Sequence, residues 1–145
     1  MSHLPYPRGR LRFDAVHHED FPNGHRRIWV TLEWPAGESY RGEAVGTQTT
    51  EGWLRACAQA TLQAAQSALH SRMSLSLVGI KAVRAFDSWV IVSAVRAKSS
   101  KRTYSLIGAE ASPDKDSLRV VVLSVLDAIN RVLELYAEPP AEVGS

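Results

Sequence analysis

An apolar period that switches from two residues to about 3.6, twice and in the same order, constrains this chain more than any other feature. Ile28, Val30 and Leu32 alternate with Trp29, Thr31 and Glu33, the pattern of a half-buried strand. Leu11, Phe13 and Ala15 alternate likewise with Arg10, Arg12 and Asp14. Residues 39–47 form a third strand, in which Gly42 and Gly46 mark a bulge or a close backbone approach. Phe21-Pro22-Asn23-Gly24 and Trp34-Pro35-Ala36-Gly37-Glu38 supply the turns. A helix follows, capped by Thr49 or Thr50, with Glu51 facing the positive end of its dipole. Leu54, Cys57 or Ala58, Thr61, Leu62, Ala65 and Leu69 recur at helical spacing, and six alanines from Ala56 to Ala68 let the helix lie close against its neighbours.

The same sequence of periods then returns. Leu75, Leu77, Ile80, Ala82 and Val83 predict a strand to about Ala85, and Phe86-Asp87-Ser88 a turn. Trp89 to Val95 is the most β-prone stretch and reads as a central strand, and Tyr104 to Ala111 as its return. Ser112-Pro113-Asp114 predicts a helix start, with serine as cap, proline at the first helical position, and Asp114 and Asp116 in the first turn. Leu118, Val121, Val122, Val125, Ile129, Val132, Leu133 and Tyr136 form its buried stripe, and Pro139-Pro140 stop it. Gly42 precedes Gly108 by 66 residues, Leu54-Arg55 precedes Leu118-Arg119 by 64, and Trp29-Val30 precedes Trp89-Val90 by 60. The expectation is an α/β chain of the α+β type, a duplicated βββα-βββα with antiparallel sheets, two long helices and a pseudo-twofold. Residues 10–72 are the first unit and 73–137 the second, in one domain flanked by an arm over 1–9 and a tail over 138–145. One such unit has a single helix for its apolar sheet face, so two units cover each other.

The 145 residues suffice for one core, and 45% hydrophobic with 22% charged residues excludes global disorder. No apolar run approaches the ~18 residues of a membrane span, and the start lacks a signal-peptide core. A cytoplasmic protein without a membrane partner is expected. Cys57, the one cysteine, makes no internal disulfide or zinc knuckle, and its place in an alanine-rich helix reads as core. His17, His18, Glu19, Asp20 and His25 have metal-ligand character, but adjacent histidines on a strand point to opposite faces, so no metal is expected. Asp114 and Asp116 are explained by the helix dipole, and no phosphate loop, nucleophile elbow or HExxH is present. No enzyme and no cofactor are expected.

The net charge of +2 hides an uneven distribution: −1 over 1–51, +7 over 52–102 and −4 over 103–145. Arg96, Lys98, Lys101 and Arg102 surround Ser99-Ser100 and, with Arg26 and Arg27, form the candidate contact for nucleic-acid phosphates. No aromatic is interleaved for base stacking, which favours a solvated hairpin tip. Trp29 and Trp89 imply a second sheet face covered by a helix or another subunit.

These elements resemble the C-terminal regulatory (dimerisation) domain of 2-isopropylmalate synthase and its citramalate synthase relatives, from about Arg10 to Tyr136. Gly52 and Ala56 match the family's G-P-x-D-A helix start, with Trp53 and Arg55 in place of its proline and acid. Leu75, Leu77, Ile80, Ala82 and Val83 fit the strand that follows. Gly108 matches the last-strand glycine, Asp116 the acid of T-D-I, and Leu126-Asp127-Ala128-Ile129-Asn130-Arg131 the L-N-A-L-N-R ending. The catalytic barrel of the synthases is not in this sequence, and Phe86-Asp87-Ser88-Trp89 replaces the family's glycine-rich turn.

The resemblance implies a stand-alone homodimer for assembly or for sensing a small carboxylate, an amino or keto acid. The loops expected to bind it carry Gly52 and Trp53, Asp87, Ser88 and Trp89, and Ser112, Asp114 and Asp116. The other readings are a nucleic-acid module on the basic hairpin and a docking subunit for a separate enzyme.

Overall fold

A computed structural model describes residues 10–70 and 72–136; the arm, the tail and the stop at Pro139 and Pro140 lie outside them. The elements are β1 (Arg12–Asp20), β2 (His25–Glu33), β3 (Ser39–Thr47), α1 (Thr50–Leu69), β4 (Ser74–Ala85), β5 (Ser88–Lys98), β6 (Thr103–Ser112) and α2 (Leu118–Tyr136). They form two antiparallel sheets, β1-β2-β3 and β4-β5-β6, in the βββα-βββα arrangement.

Alternation places Ile28, Val30 and Leu32 on one face of the first sheet, and Ile91, Ser93, Val95 and Ala97 on one face of the second. The helices cover both faces. α1 packs on β2 and β3 and reaches β4; α2 packs on β5 and β6 and reaches β1; the two helices touch. Lying between sheets, α1 is buried on most sides, and its small residues make that possible. One continuous core results, drawn from both units.

The duplication is visible in the geometry. A Cβ at Gly42 would lie 2.1 Å from the Ala60 carbonyl oxygen, and one at Gly108 2.0 Å from that of Ser124, so each helix backbone rests on its own sheet's edge strand. Beside each glycine a helix side chain takes an edge-strand N–H. Glu43 donates to Gln63 Oε1 at 2.8 Å, and Ala109 to Asp127 Oδ2 at 3.0 Å. One turn further on, each helix clasps the other unit. Asn130 accepts from the Leu11 N–H and donates to its carbonyl at 2.9 and 3.1 Å, while Gln66 accepts from the Leu75 N–H and donates to the Met73 carbonyl.

Four expectations change. The register shifts at Asp14, as it does at Val78, so Val16 rather than Ala15 joins the core. Gly42 opposes Val30 while Gly108 opposes Ser93, so the second-strand equivalence runs at 63 residues; Trp29 corresponds to Val92, and Trp89 to Arg26. Ser88 belongs to β5, leaving Phe86 and Asp87, both at positive φ, as the whole turn. Finally, α2 starts at Leu118 rather than near Ser112. Ser112 ends β6, and its hydroxyl accepts from the Asp114 N–H and donates to the Asp114 carbonyl, closing a turn. Ser117 takes over the start of α2, accepting from the Val120 and Val121 N–H groups, and no acid lies in the first turn.

Candidate functional site

Trp89 sits at the start of β5 between Arg84 on β4 and Ser112 on β6. The Arg84 guanidinium carbon is 5.4 Å from its ring centroid, and Lys115 Nζ, from the loop before α2, is 5.8 Å away. Beside this ring lies a cleft of about 650 Å³. Its walls are Thr50, Glu51, Leu54 and Arg55 of α1, Ile80, Lys81 and Ala82 of β4, Trp89 and Lys115. Cationic residues of three separate segments line it with one carboxylate, Glu51, and Lys81, out of phase with Ile80 and Ala82, stands at the rim. An apolar floor under converging charged groups is the arrangement that orients a small anionic ligand. The cleft joins the halves, since α1 comes from the first unit and the rest from the second.

The first unit has no indole at the corresponding place. At the position of Trp89 it has Arg26, whose guanidinium carbon lies 3.9 Å from the Trp53 ring centroid. Arg26 also bonds Asp20 at 2.5 and 3.0 Å and holds that carboxyl below its ordinary pKa.

The structure brings Trp89 and the neighbours of Asp114 and Asp116 to this cleft through Lys115, while both aspartates are exposed. Ser88 ties β5 to β6 by donating to the Ser112 carbonyl at 3.1 Å, and Asp87 is exposed at the hairpin tip. Gly52 and Trp53 take the other side of α1. The Gly52 N–H donates to the Thr49 cap at 3.0 Å, and a Cβ there would meet Thr47 Oγ1 at 1.9 Å. No sequence motif marks Arg55, Lys81 or Lys115; the +7 excess over 52–102 is the signal that points toward two of them.

Arg96 and Lys98 project from β5 at the opposite end of the second sheet, with Lys101 and Arg102 in the turn beyond and Arg102 over Tyr104 at 5.9 Å. His17 opposes Trp29 and His18 opposes Ile28, on opposite faces, and His18 Nδ1 lies 3.7 Å from Asp20. Among the described residues no three His, Cys, Asp or Glu side chains gather. No helix among them is long and apolar enough to cross a membrane.

Cys57 is fully buried, and burial pushes its thiol well above the ordinary range against a smaller opposing bond with Thr61. A thiol reagent is expected to label the native protein only at the rate of unfolding and one site per chain in denaturant. Rapid stoichiometric labelling without denaturant would contradict this burial.

No protein-family model matches the chain, and no curated protein matches it.

Proposed function

We propose that this protein is a non-catalytic sensing domain whose cleft over Trp89 takes a small carboxylate of the amino-acid or keto-acid class. The observation that carries this reading is a cleft lined by Arg55 and Lys115 beside an indole, with Lys81 at its rim on the edge strand and Glu51 the one carboxylate in the lining. A carboxylate pairs with the cations, and Glu51 suits the ammonium group of an amino acid. The lining contains neither histidine nor cysteine to activate a nucleophile, in keeping with binding rather than turnover. The βββα-βββα arrangement supports the resemblance to the synthase regulatory domain, whose ligands are of this class. A ligand in the cleft touches both units, so its binding free energy is available to change how they pack or what they dock on.

The test is a thermal-shift and calorimetric screen of amino and keto acids. A ligand at about 100 times its Kd adds about 2.7 kcal/mol, a rise in Tm of several degrees. Lys115→Ala and Arg55→Ala are expected to abolish the shift, while Lys101→Ala, outside the cleft, leaves it. A panel in which no acid binds defeats the reading.

A further inference from the structure

We propose that the outer face of the β4-β5-β6 sheet, at the end carrying the 96–102 hairpin, binds the phosphate backbone of double-stranded nucleic acid without regard to base sequence. This goes beyond the ligand reading, uses none of the cleft residues and is independent of it.

Strand register turns a basic stretch of sequence into a surface. Arg96 stands between Ser76 on β4 and Ser105 on β6, and Lys98 between Ser74 and Thr103. All six are exposed, out of phase with buried Val95 and Ala97 and so on the face turned away from the helices. Each of the two cations is thus flanked by hydroxyls that can donate to phosphate oxygens. Lys101 and Arg102 follow in a turn held by its own bonds. The Ser99 N–H donates to the Arg102 carbonyl at 2.9 Å, and Ser99 Oγ accepts from the Lys101 and Arg102 N–H groups at 3.2 and 3.1 Å. Among the described residues none of the four cations has a carboxylate partner. The three strands hold one carboxylate between them, Glu110, in phase with Gly108 on the helix-facing side.

The duplication shows that the fold does not require this charge. At the position of Arg96 the first sheet has Glu33, between Arg12 and Ser39. A charged strand end that only discourages edge pairing serves with either sign, and the first unit uses the acid. Clustered cations with no acid among them are instead the footprint of a polyanion site.

Shape and chemistry select among polyanions. Arg96 and Lys98 lie two residues, about 7 Å, apart along one strand, and the turn extends the same line. A row suits charges strung along a chain, whereas a bilayer is bound by cations spread around an apolar wedge. Val78 and Ile107, exposed on the same face, lie beyond the cations rather than among them. No aromatic ring faces outward at this end: Tyr104 opposes buried Ala97 on the inner side, with Arg102 over it at 5.9 Å. Without a ring for bases to stack on, contacts fall on phosphates, and a duplex presents one per ~1.7 Å of its axis.

The test is fluorescence anisotropy of a labelled duplex of about 20 base pairs, titrated with the full chain between about 50 and 200 mM salt. A single strand of the same length and vesicles containing phosphatidylserine run beside it. Four phosphate contacts predict a log–log salt slope of about −3.6, a loss of roughly a hundredfold over that range. Two duplexes of unrelated sequence are expected to bind alike. Lys98→Gln is expected to weaken binding several-fold and to flatten the slope by about one. Arg96→Glu with Lys98→Glu is expected to abolish binding with an unchanged melting profile, because both side chains are exposed. Arg12→Gln, which removes an exposed cation from the corresponding row of the first sheet, is expected to leave the slope as it is. No duplex binding at the lowest salt, a slope indifferent to Lys98→Gln, or tighter binding to the single strand or to the vesicles overturns the proposal.

Discussion

Replacing Gly108 with alanine is expected to destabilise the fold by about 3 kcal/mol and to lower Tm by about 10 °C. The added Cβ would lie 2.0 Å from the Ser124 carbonyl oxygen and 2.4 Å from the Ala128 amide nitrogen. Both are helix backbone, so no side chain can swing aside, and α2 must lift off β6. Lifting it also strains the Asp127 bond to the Ala109 N–H and the buried Ser93–Ser124 pair, 2.6 Å apart. Gly42→Ala is expected to act similarly through α1, whose Ala60 oxygen and Ala64 nitrogen stand at 2.1 and 2.6 Å. Gly79→Ala is the control: nothing lies within 4 Å of its added Cβ, and a change within about 0.5 kcal/mol is expected. Thermal and urea unfolding followed by circular dichroism measure all three. A Gly108→Ala protein that melts with the wild type would show that the helix does not rest on the strand.

Those glycines also show how much the sequence carries. Gly42 was legible as a bulge or a close approach, because a glycine in a strand has few other uses, whereas Gly108 stood out only as its mate in the repeat. The limits of β3 and the Thr49 cap were legible for the same kind of reason, since strand alternation and capping are local. The start of α2 was not. Ser-Pro-Asp opens a helix or closes a turn with equal facility, and what decided was the pairing of Ser112 with Trp89 across the sheet, a long-range fact. The internal repeat was legible in the helices, where Gln63 and Asp127 or Gln66 and Asn130 do the same work 64 residues apart. The matching of Trp29 with Trp89 failed because residue identity outvoted register. Of the cleft, Trp89 was singled out for the wrong reason: only Trp29 lies on a second sheet face, whereas Trp89 is in phase with buried Ile91 on the helix-facing side. Arg55, Lys81 and Lys115 are far apart in the chain, and only the packing of α1 on β4 and the loop before α2 brings them to one cleft. Gly52 and Trp53 fall away from the cleft because a helix turns by about 100° per residue, so residues adjacent to Leu54 and Arg55 face elsewhere.

Asn130→Ala is expected to destabilise by about 2–4 kcal/mol, because the truncation strands two backbone groups rather than one. Asn130 is 2% exposed and Leu11 1%, so in the intact fold the Leu11 N–H and carbonyl depend on this amide for their bonds. Gln66→Ala, which strands the corresponding groups of Met73 and Leu75 at a partly buried site, is expected to cost about half as much. Asn130→Asp separates hydrogen bonding from packing. A neutral carboxyl can accept from the Leu11 N–H and donate to its carbonyl, whereas a carboxylate sets negative oxygen against that carbonyl in a dry site. The folded-state pKa of the introduced carboxyl is therefore raised above the unfolded value of about 3.9. The unfolded chain then gives up its proton first as pH rises, so stability is retained below about pH 4 and falls as pH climbs through the folded pKa. Urea unfolding of the variant from pH 4 to pH 8, with wild type in parallel, is expected to show this decline in the variant alone. A pH-independent difference would mean that Asn130 fills space at the junction of the two units without clasping the strand.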